Sequence, residues 1–463
     1  MNGIERRARL ARSRLYLVLE ARPHGENPGP LLDAALRGGV DVVQLRDKEL
    51  RDEELVRAAE PFRRACDAHG ALFVLNDRPE LVERCDADGV HVGQADAPLG
   101  EARRAVGGER IVGLSATTAE ELRGDPDYFG VGAIYGTPTK PESAAGGLEL
   151  VRAARDALRV PWFAIGGVDA GTIAAVAASG ACGVAVVRAV RDAPDPEDAA
   201  RRLRVQLPAT DAVATRGEDV CLPQIDWLFG TWAPGQKPVA PHTHAAHTDA
   251  FYVLGGTMEF RLGDGTVQVP AGSCVAAPPL LVHGFRNPGA EDARFLNLHA
   301  AGVWARGPQH GLVPELYDTF GADRASAQAR PILSATGDGD RLGTKHRLAL
   351  VKVQHPDLDV LEYVVDADYD GAGPHVHVRH ADCFHVLEGA LEIVADGKAV
   401  RAEAGTSVVI PPGVEHAFTS AGRARFLNVH APSCGFVEYL RKLDAGDDLE
   451  PEAYDVHAMR PAG

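Results

Sequence analysis

Between Leu15 and Ala189 short apolar runs alternate with longer amphipathic stretches. The apolar runs are RLYLVLE, VDVVQLRD, ALFVLND, DGVHVGQ, RIVGLSA, YFGVGAIYG, PWFAIGGV and CGVAVVRAV. Each has the length of a strand, and near-continuous apolarity means burial on both faces. The segments between them, such as RDEELVRAAEPFRRACDAHG and DAGTIAAVAASG, are rich in Ala, Arg and Glu and carry helical periodicity. Eight strand–helix units in so short a span predict a compact (β/α)8 TIM barrel rather than an open doubly wound sheet.

The pattern changes after Leu207. PATDAVATRGED is polar and has no apolar period, so it reads as a linker. Beyond it Gly and Pro punctuate short β-like runs, as in FYVLGGTMEFRLGDGTVQVPAGSCVAAPP. This half also repeats itself. PHTHAAHTDAFYVLGG matches PHVHVRHADCFHVLEG, and AGSCVAAPPLLVHGF matches AGTSVVIPPGVEHAF. His242, His244, Asp249, Gly272, Pro278 and His283 recur 133 positions later as His375, His377, Asp382, Gly405, Pro411 and His416. ARFLNLHA and ARFLNVHA follow at an offset of 131. A constant offset across separate motifs implies two copies of one all-β domain. The expected organisation is a barrel over 1–207, a linker over 208–218, β domains over 219–305 and 344–435 with a connection over 306–343, and a tail over 436–463.

Composition narrows the function classes. The net charge of −17 argues against nucleic-acid binding, which usually needs a basic face. LYLVL is too short for a signal peptide core or a membrane span, so a soluble, cytoplasmic protein with no membrane partner is expected. Seven scattered Cys without a CxxC read as free thiols. A homo-oligomer is compatible with all of this.

In a (β/α)8 enzyme the chemistry sits at the carboxyl ends of the strands. Those ends carry Gln44, Arg46 and Lys48, then Asn76 and Asp77, then Gln94 and Asp96, then Ser115, then Thr137, Thr139 and Lys140, then Gly166 and Gly167, then Val187 and Arg188. Arg46, Lys48 and Lys140 can converge on one diphosphate. Asp77 and Asp96 can hold Mg2+, which binds through one or two carboxylates plus substrate phosphates. Gly166-Gly167 lets backbone approach a phosphate, with the amino end of the next helix expected beside it. Singly each feature has a bland reading: a helix-capping Asp, a plain glycine turn, a solvated lysine. Their succession on seven strand ends favours one phosphate-handling site.

The ordered motifs QLRDK, ND, DGVHVGQAD, GLSATT, GAIYGTPTK, AIGGV and VAVV resemble those of the thiamine-phosphate synthases over the whole barrel. The resemblance implies a transferase that joins hydroxymethylpyrimidine diphosphate to thiazole phosphate. It implies that Gln44 and Ser115 hold the pyrimidine and that Arg46, Lys48, Asn76 and Lys140 grip the diphosphate. Asp77 and Asp96 would bind Mg2+. Thr137, Thr139, Gly166, Gly167 and the amides near Val187 and Arg188 would hold the thiazole phosphate. Two positions depart from the pattern: Tyr135-Gly136 stands where Phe-Pro is frequent, and Arg188 where Ser is frequent. Related thiazole tautomerases share the fold but typically lack the diphosphate-binding set, so the synthase is favoured.

In the repeated half each copy has HxH, an acid five residues after the second His, and a third His on a later strand. HxH puts both imidazoles on one face of a strand. The acid and the distant His complete a set that leaves open positions on a divalent transition metal. The pattern resembles the cupins, here as a bicupin. The first copy would use His242, His244, Asp249 and His283, and the second His375, His377, Asp382 and His416, to hold Fe, Mn, Zn or Ni. Asp stands where cupins usually have Glu. His247, His380 and His385 are read either as partners of the ligands or as exposed. Three roles compete for this half: a metal-dependent oxygenase, a ligand-binding module, or a shell that has kept its histidines without metal.

Overall fold

The structure is a computed structural model that describes residues 1–136, 145–208, 210–302, 319–321, 325–326 and 328–459. One compact unit runs from Met1 to Thr210 and a second begins at Asp211.

In the first unit eight parallel strands close a barrel in sequence order: β1 (Leu15–Leu19), β2 (Val42–Leu45), β3 (Leu72–Asn76), β4 (Gly89–Val92), β5 (Ile111–Ala116), β6 (Tyr128–Val131), β7 (Trp162–Ile165) and β8 (Val184–Val186). β8 pairs with β1 through Leu15–Val184, Tyr16–Ala185 and Leu17–Val186. The fold is the (β/α)8 barrel that the sequence predicts. Strand alternation sorts the core in two. Leu15, Leu17, Val43, Leu45, Phe73 and Leu75 point outward and pack under the helices. Tyr16, Val18, Val42, Leu72, Val74, Tyr128 and Phe163 fill the interior. Gly113 on β5 is required by this filling: a Cβ there would stand 2.1 Å from Cζ of Tyr128. Leu10, from the helix Gly3–Arg12, joins the interior cluster from below.

A buried ion cluster ties that helix down. Asp88 receives Arg6 Nε at 2.9 Å, Arg63 Nη1 at 2.8 Å and the Phe73 N–H at 2.9 Å. It links the helix Gly3–Arg12 and the helix Asp52–His69 to the start of β4.

The second unit is two β-sandwich copies, the all-β cupin arrangement expected. In the first, Val220–Cys221, Asp226–Trp232, Ala293–Ala300, Thr248–Gly255, Cys274–Ala277 and Ile332–Ser334 form one sheet; Gly265–Pro270, Thr257–Leu262 and His283–Arg286 form another. The second copy repeats the register: Asp249 pairs with Ala277, and Asp382 with Ile410. The copies also exchange edge strands. Ile332–Ser334, which precedes the second copy, pairs with Cys274–Ala277 of the first. Val213–Thr215, inside the segment read as linker, pairs with Ser407–Ile410 of the second. An edge strand needs only backbone partners, so it leaves little apolar periodicity to read. The copies share one apolar core, with Trp227, Tyr252 and Leu298 beside Val360, Cys383 and Val429.

All seven cysteines are free thiols. Among the described residues no helix is long and apolar enough to cross a membrane.

Asp88→Ala would strand two largely buried guanidinium groups. We expect it to lower unfolding free energy by about 3 kcal/mol, read as a lower urea midpoint of the barrel transition. The Asp88 carboxyl is held below its ordinary range: burial pushes it up, but the Phe73 N–H and Arg63 outweigh burial. Its contribution is therefore present above about pH 4 and fades as pH falls through the folded-state value.

Candidate functional site

A cavity of about 620 Å3 opens at the carboxyl ends of the barrel strands. Gln44, Arg46, Asn76, Ser115, Gly166, Gly167, Val187 and Arg188 all line it. Gly166 and Gly167 adopt φ of 100° and 67°. A Cβ at Gly166 would lie 2.6 Å from Cα of Ala133, and one at Gly167 2.6 Å from Cβ of Tyr135. Only glycine admits this close passage of the two strand ends. The next helix does not begin there, contrary to expectation. It starts at Ile173, after a turn in which Asp169 Oδ1 accepts from the N–H groups of Gly171 and Thr172. At the end of β7 the glycine backbone, rather than the start of the following helix, walls the cavity. Val187 and Arg188 line it at the end of the neighbouring strand β8, where the short helix Arg188–Arg191 begins.

Lys48, Asp77 and Asp96 form a group beside Asn76, outside the cavity lining. Lys48 Nζ lies 2.9 Å from Asp77 Oδ2. Asp77 sits in the left-handed region, φ 61°, with its N–H donated to the His91 carbonyl. Burial raises the Asp77 carboxyl above its ordinary range, a hydrogen bond to Asp96 raises it further, and Lys48 opposes both. Two apposed carboxylates are a hard-oxygen donor set that fits Mg2+. Thr137, Thr139 and Lys140 lie outside the described residues.

A polar chain across the barrel interior escaped the sequence reading. Gln44 Nε2 donates to Tyr16 Oη at 2.9 Å, and Tyr16 Oη meets Tyr128 Oη at 2.9 Å. Tyr128 Oη lies 3.1 Å from His91 Nδ1, and His91 Nε2 lies 2.9 Å from Ser115 Oγ. The chain thus joins Gln44 to Ser115. Burial raises both tyrosine hydroxyls well above their ordinary value, so they stay protonated. The signal was present: Tyr16, His91 and Tyr128 are polar at inward positions of apolar strands.

In the second unit both four-residue sets assemble, the ligand atoms of each lying within 4.8 Å of one another. His242 Nδ1 donates to the Ala240 carbonyl at 2.8 Å, and His375 Nδ1 to that of Gly373 at 2.8 Å. His283 and His416 do the same to Leu281 and Val414, both at 3.0 Å. Each Nδ1 thereby holds the ring proton, and each Nε2 keeps a lone pair. Yet His283 Nε2 lies 3.2 Å from Asp249 Oδ2, and His416 Nε2 lies 3.2 Å from Asp382 Oδ2. A lone pair against a carboxylate oxygen is unfavourable unless a proton or a metal ion stands between them, and both sets share that geometry. Burial holds His244 and His375 neutral, at about 3 and about 4, the state that ligates metal. Asp249 is held at about 2: burial pushes it up, but His299, His283 and His244 pull it down. The shorter Asp side chain still reaches the set, its oxygen lying within 4.8 Å of the other ligand atoms. Divalent transition metals fit these donors.

His247, His380 and His385 are all buried, so the exposed reading fails for them. His385 faces away from the ligands and bonds Ser407 Oγ at 2.8 Å. Ser407 Oγ also accepts from Trp227 Nε1 at 3.0 Å. The ring of His247 lies 4.0 Å from that of His244, and the ring of His380 3.9 Å from that of His377. His299 and His430, at the ends of the ARFLN motifs, were missed. They lie 3.5 and 3.7 Å from Asp249 and Asp382.

These features define a (β/α)8-barrel enzyme joined to two cupin barrels. The thiamine monophosphate synthase family model matches residues 15–190, and the cupin domain model matches 228–299 and 363–430. The thiamine-phosphate synthase of Acidothermus cellulolyticus is 44% identical over 209 residues, covering 44% of this chain and 99% of that protein. The solved thiamine phosphate pyrophosphorylase from Pyrococcus furiosus is 29% identical, covers 42% of this chain and 96% of its own, and has a TM-score of 0.39. A salicylate 1,2-dioxygenase from Pseudaminobacter salicylatoxidans covers 47% of this chain and 74% of its own at 13% identity and a TM-score of 0.34. The chain belongs to the thiamine-phosphate synthase family, and its barrel is that of a transferase.

The full chain, equilibrated with Co2+ and desalted, is expected to hold about one ion per four-residue set. His283→Ala should remove about one ion per chain by elemental analysis. Unchanged content would exclude the first set as a metal centre.

Proposed function

We propose that the barrel condenses hydroxymethylpyrimidine diphosphate with thiazole phosphate, giving thiamine phosphate and diphosphate. The observation that carries this reading is the single cavity lined by Gln44, Arg46, Asn76, Ser115, Gly166, Gly167, Val187 and Arg188. In it Gln44 and Ser115 bind the aminopyrimidine. The Tyr16–Tyr128–His91 chain joins them, so neither side chain turns independently. Arg46, Lys48, Asn76 and Lys140 grip the diphosphate, and Asp77 and Asp96 would hold Mg2+. That ion, when bound, supplies positive charge to the leaving diphosphate. Gly166, Gly167, Thr137, Thr139 and the amides near Val187 and Arg188 hold the thiazole phosphate.

The chemistry these residues serve is a substitution at the pyrimidine methylene. Its C–O bond breaks and the electron pair leaves with diphosphate. The pyrimidine ring stabilises the resulting carbocation. The thiazole nitrogen then donates its lone pair, forming the C–N bond and a thiazolium. No protein nucleophile takes part, so the residues act by positioning and by charge stabilisation. The bicupin adds two mononuclear metal centres, the reading supported by the imidazole lone pairs that face Asp249 and Asp382.

The direct test is magnesium-dependent formation of thiamine phosphate from the two phosphorylated precursors. Asp77→Ala and Lys140→Ala should each lower turnover by about a hundredfold or more while the chain stays folded. Folded wild-type protein that yields no product would reject the reading. Relatives that span only the barrel suggest a second outcome. A chain ended at about residue 210 should keep turnover within a few fold; its loss would make the bicupin part of the reaction.

A further inference from the structure

The second cupin copy holds two buried imidazoles, His380 and His430, that its four-residue set does not use. His430 Nδ1 and His380 Nε2 lie 3.0 Å apart. The outer nitrogen of each ring is already committed. His380 Nδ1 lies 2.9 Å from Asp455 Oδ2. That carboxylate also accepts the N–H groups of Val378, Arg379 and His380, so it acts only as an acceptor. His430 Nε2 lies 2.8 Å from Asn428 Oδ1. The amide cannot be flipped, because Asn428 Nδ2 donates to Asp382 Oδ1 at 2.5 Å and to the Cys383 carbonyl at 3.4 Å. Both outer nitrogens therefore carry protons. In neutral rings the inner nitrogens then turn lone pairs on each other, a repulsion that either a shared proton or a bound metal ion relieves. A third donor stands beside them. His377 Nδ1 donates to the Asp455 carbonyl at 2.6 Å, and buried His377 Nε2 has no hydrogen-bond partner among the described residues. The ligand atoms of His377, His380 and His430 lie within 4.8 Å of one another.

We propose that His377, His380 and His430 form a second seat for a divalent transition metal, overlapping the seat of His375, His377, Asp382 and His416 at His377. It rests on the metal-centre reading only through that shared residue. His377 Nε2 has one lone pair, so a single ion takes one seat or the other. Three imidazoles with an open position suit Zn2+ or Co2+. Asp455 and Asn428 are positioning residues that fix which ring nitrogens are bare.

Co2+ binding to the full chain tests this in a His242→Ala, His244→Ala, His283→Ala background that silences the first copy. With the second copy intact, about one Co2+ should bind. Adding His375→Ala and His416→Ala should leave about one Co2+ bound, with a changed visible absorption spectrum. Adding His380→Gln or His430→Gln to that chain should weaken binding at least tenfold. Loss of all cobalt with His375→Ala and His416→Ala, or retention after the Gln substitutions, overturns the second seat alone. The first loss would leave the four-residue seat standing. No cobalt in the silenced background with the second copy intact would overturn both seats. Unfolding midpoints confirm that each variant is folded. Where the alanine pair fails to fold, His375→Gln with His416→Gln carries the same test.

Discussion

A β-strand sends successive side chains to opposite faces, and closing eight strands into a barrel leaves one face of each with no solvent and no helix. Whatever points inward must fill that space and satisfy itself there. In this barrel the lower interior is met with Val42, Leu72, Val74 and Phe163, and with polar groups that bond one another: Gln44, Tyr16, Tyr128, His91 and Ser115. Buried hydroxyls without partners would each cost about 1–3 kcal/mol. The chain therefore stabilises the barrel and holds two cavity-lining side chains at its ends in one arrangement. Gly113 belongs to the same solution, since the Tyr128 ring occupies the space its side chain would take.

The same alternation governs the bicupin, where the inward face carries imidazoles. The carbonyl two residues before His242, His283, His375 and His416 takes the Nδ1 proton of each ring. This local bond fixes the tautomer before any ion arrives. The carboxylates Asp249 and Asp382 are then held ionised by the imidazoles around them, against the cost of burial. Orientation, tautomer and charge are set by backbone geometry and neighbours, which is what a preformed metal centre needs.

Much of this was legible in the sequence because it is periodic or local. Eight apolar runs gave the barrel, the offset of 133 gave the duplicated domain, and HxH with its acid and distant His gave the residues of both four-residue clusters. The illegible parts depend on contacts distant in sequence. Asp455 approaches His380 across 75 positions, and Tyr16 approaches Tyr128 across 112. The edge strands Val213–Thr215 and Ile332–Ser334 were hidden for a different reason: they contribute backbone rather than an apolar face. The helix expected directly after Gly166-Gly167 failed because Asp169 and Thr172 favour a side-chain-bonded turn over immediate helix entry.

The two cupin copies are alike in register. In each, a later segment returns to pair beside the HxH strand: Thr319–Phe320 against Thr243–His244, and His457–Ala458 against His375–Val376. In the second copy this return also delivers Asp455, a fully buried carboxylate that accepts from His380, His457 and three backbone N–H groups. Its own carbonyl takes the His377 proton. A single residue of the returning segment thus fixes the tautomers of two histidines of the second copy. Duplication supplied the positions of both four-residue sets, and the returning segment fixes ring tautomers in the second. The two sets differ visibly at the outer histidine: His299 Nδ1 lies 3.6 Å from a carboxylate oxygen of Asp226, whereas His430 Nδ1 lies 3.0 Å from His380 Nε2, so the same scaffold position faces an acid in one copy and an imidazole in the other.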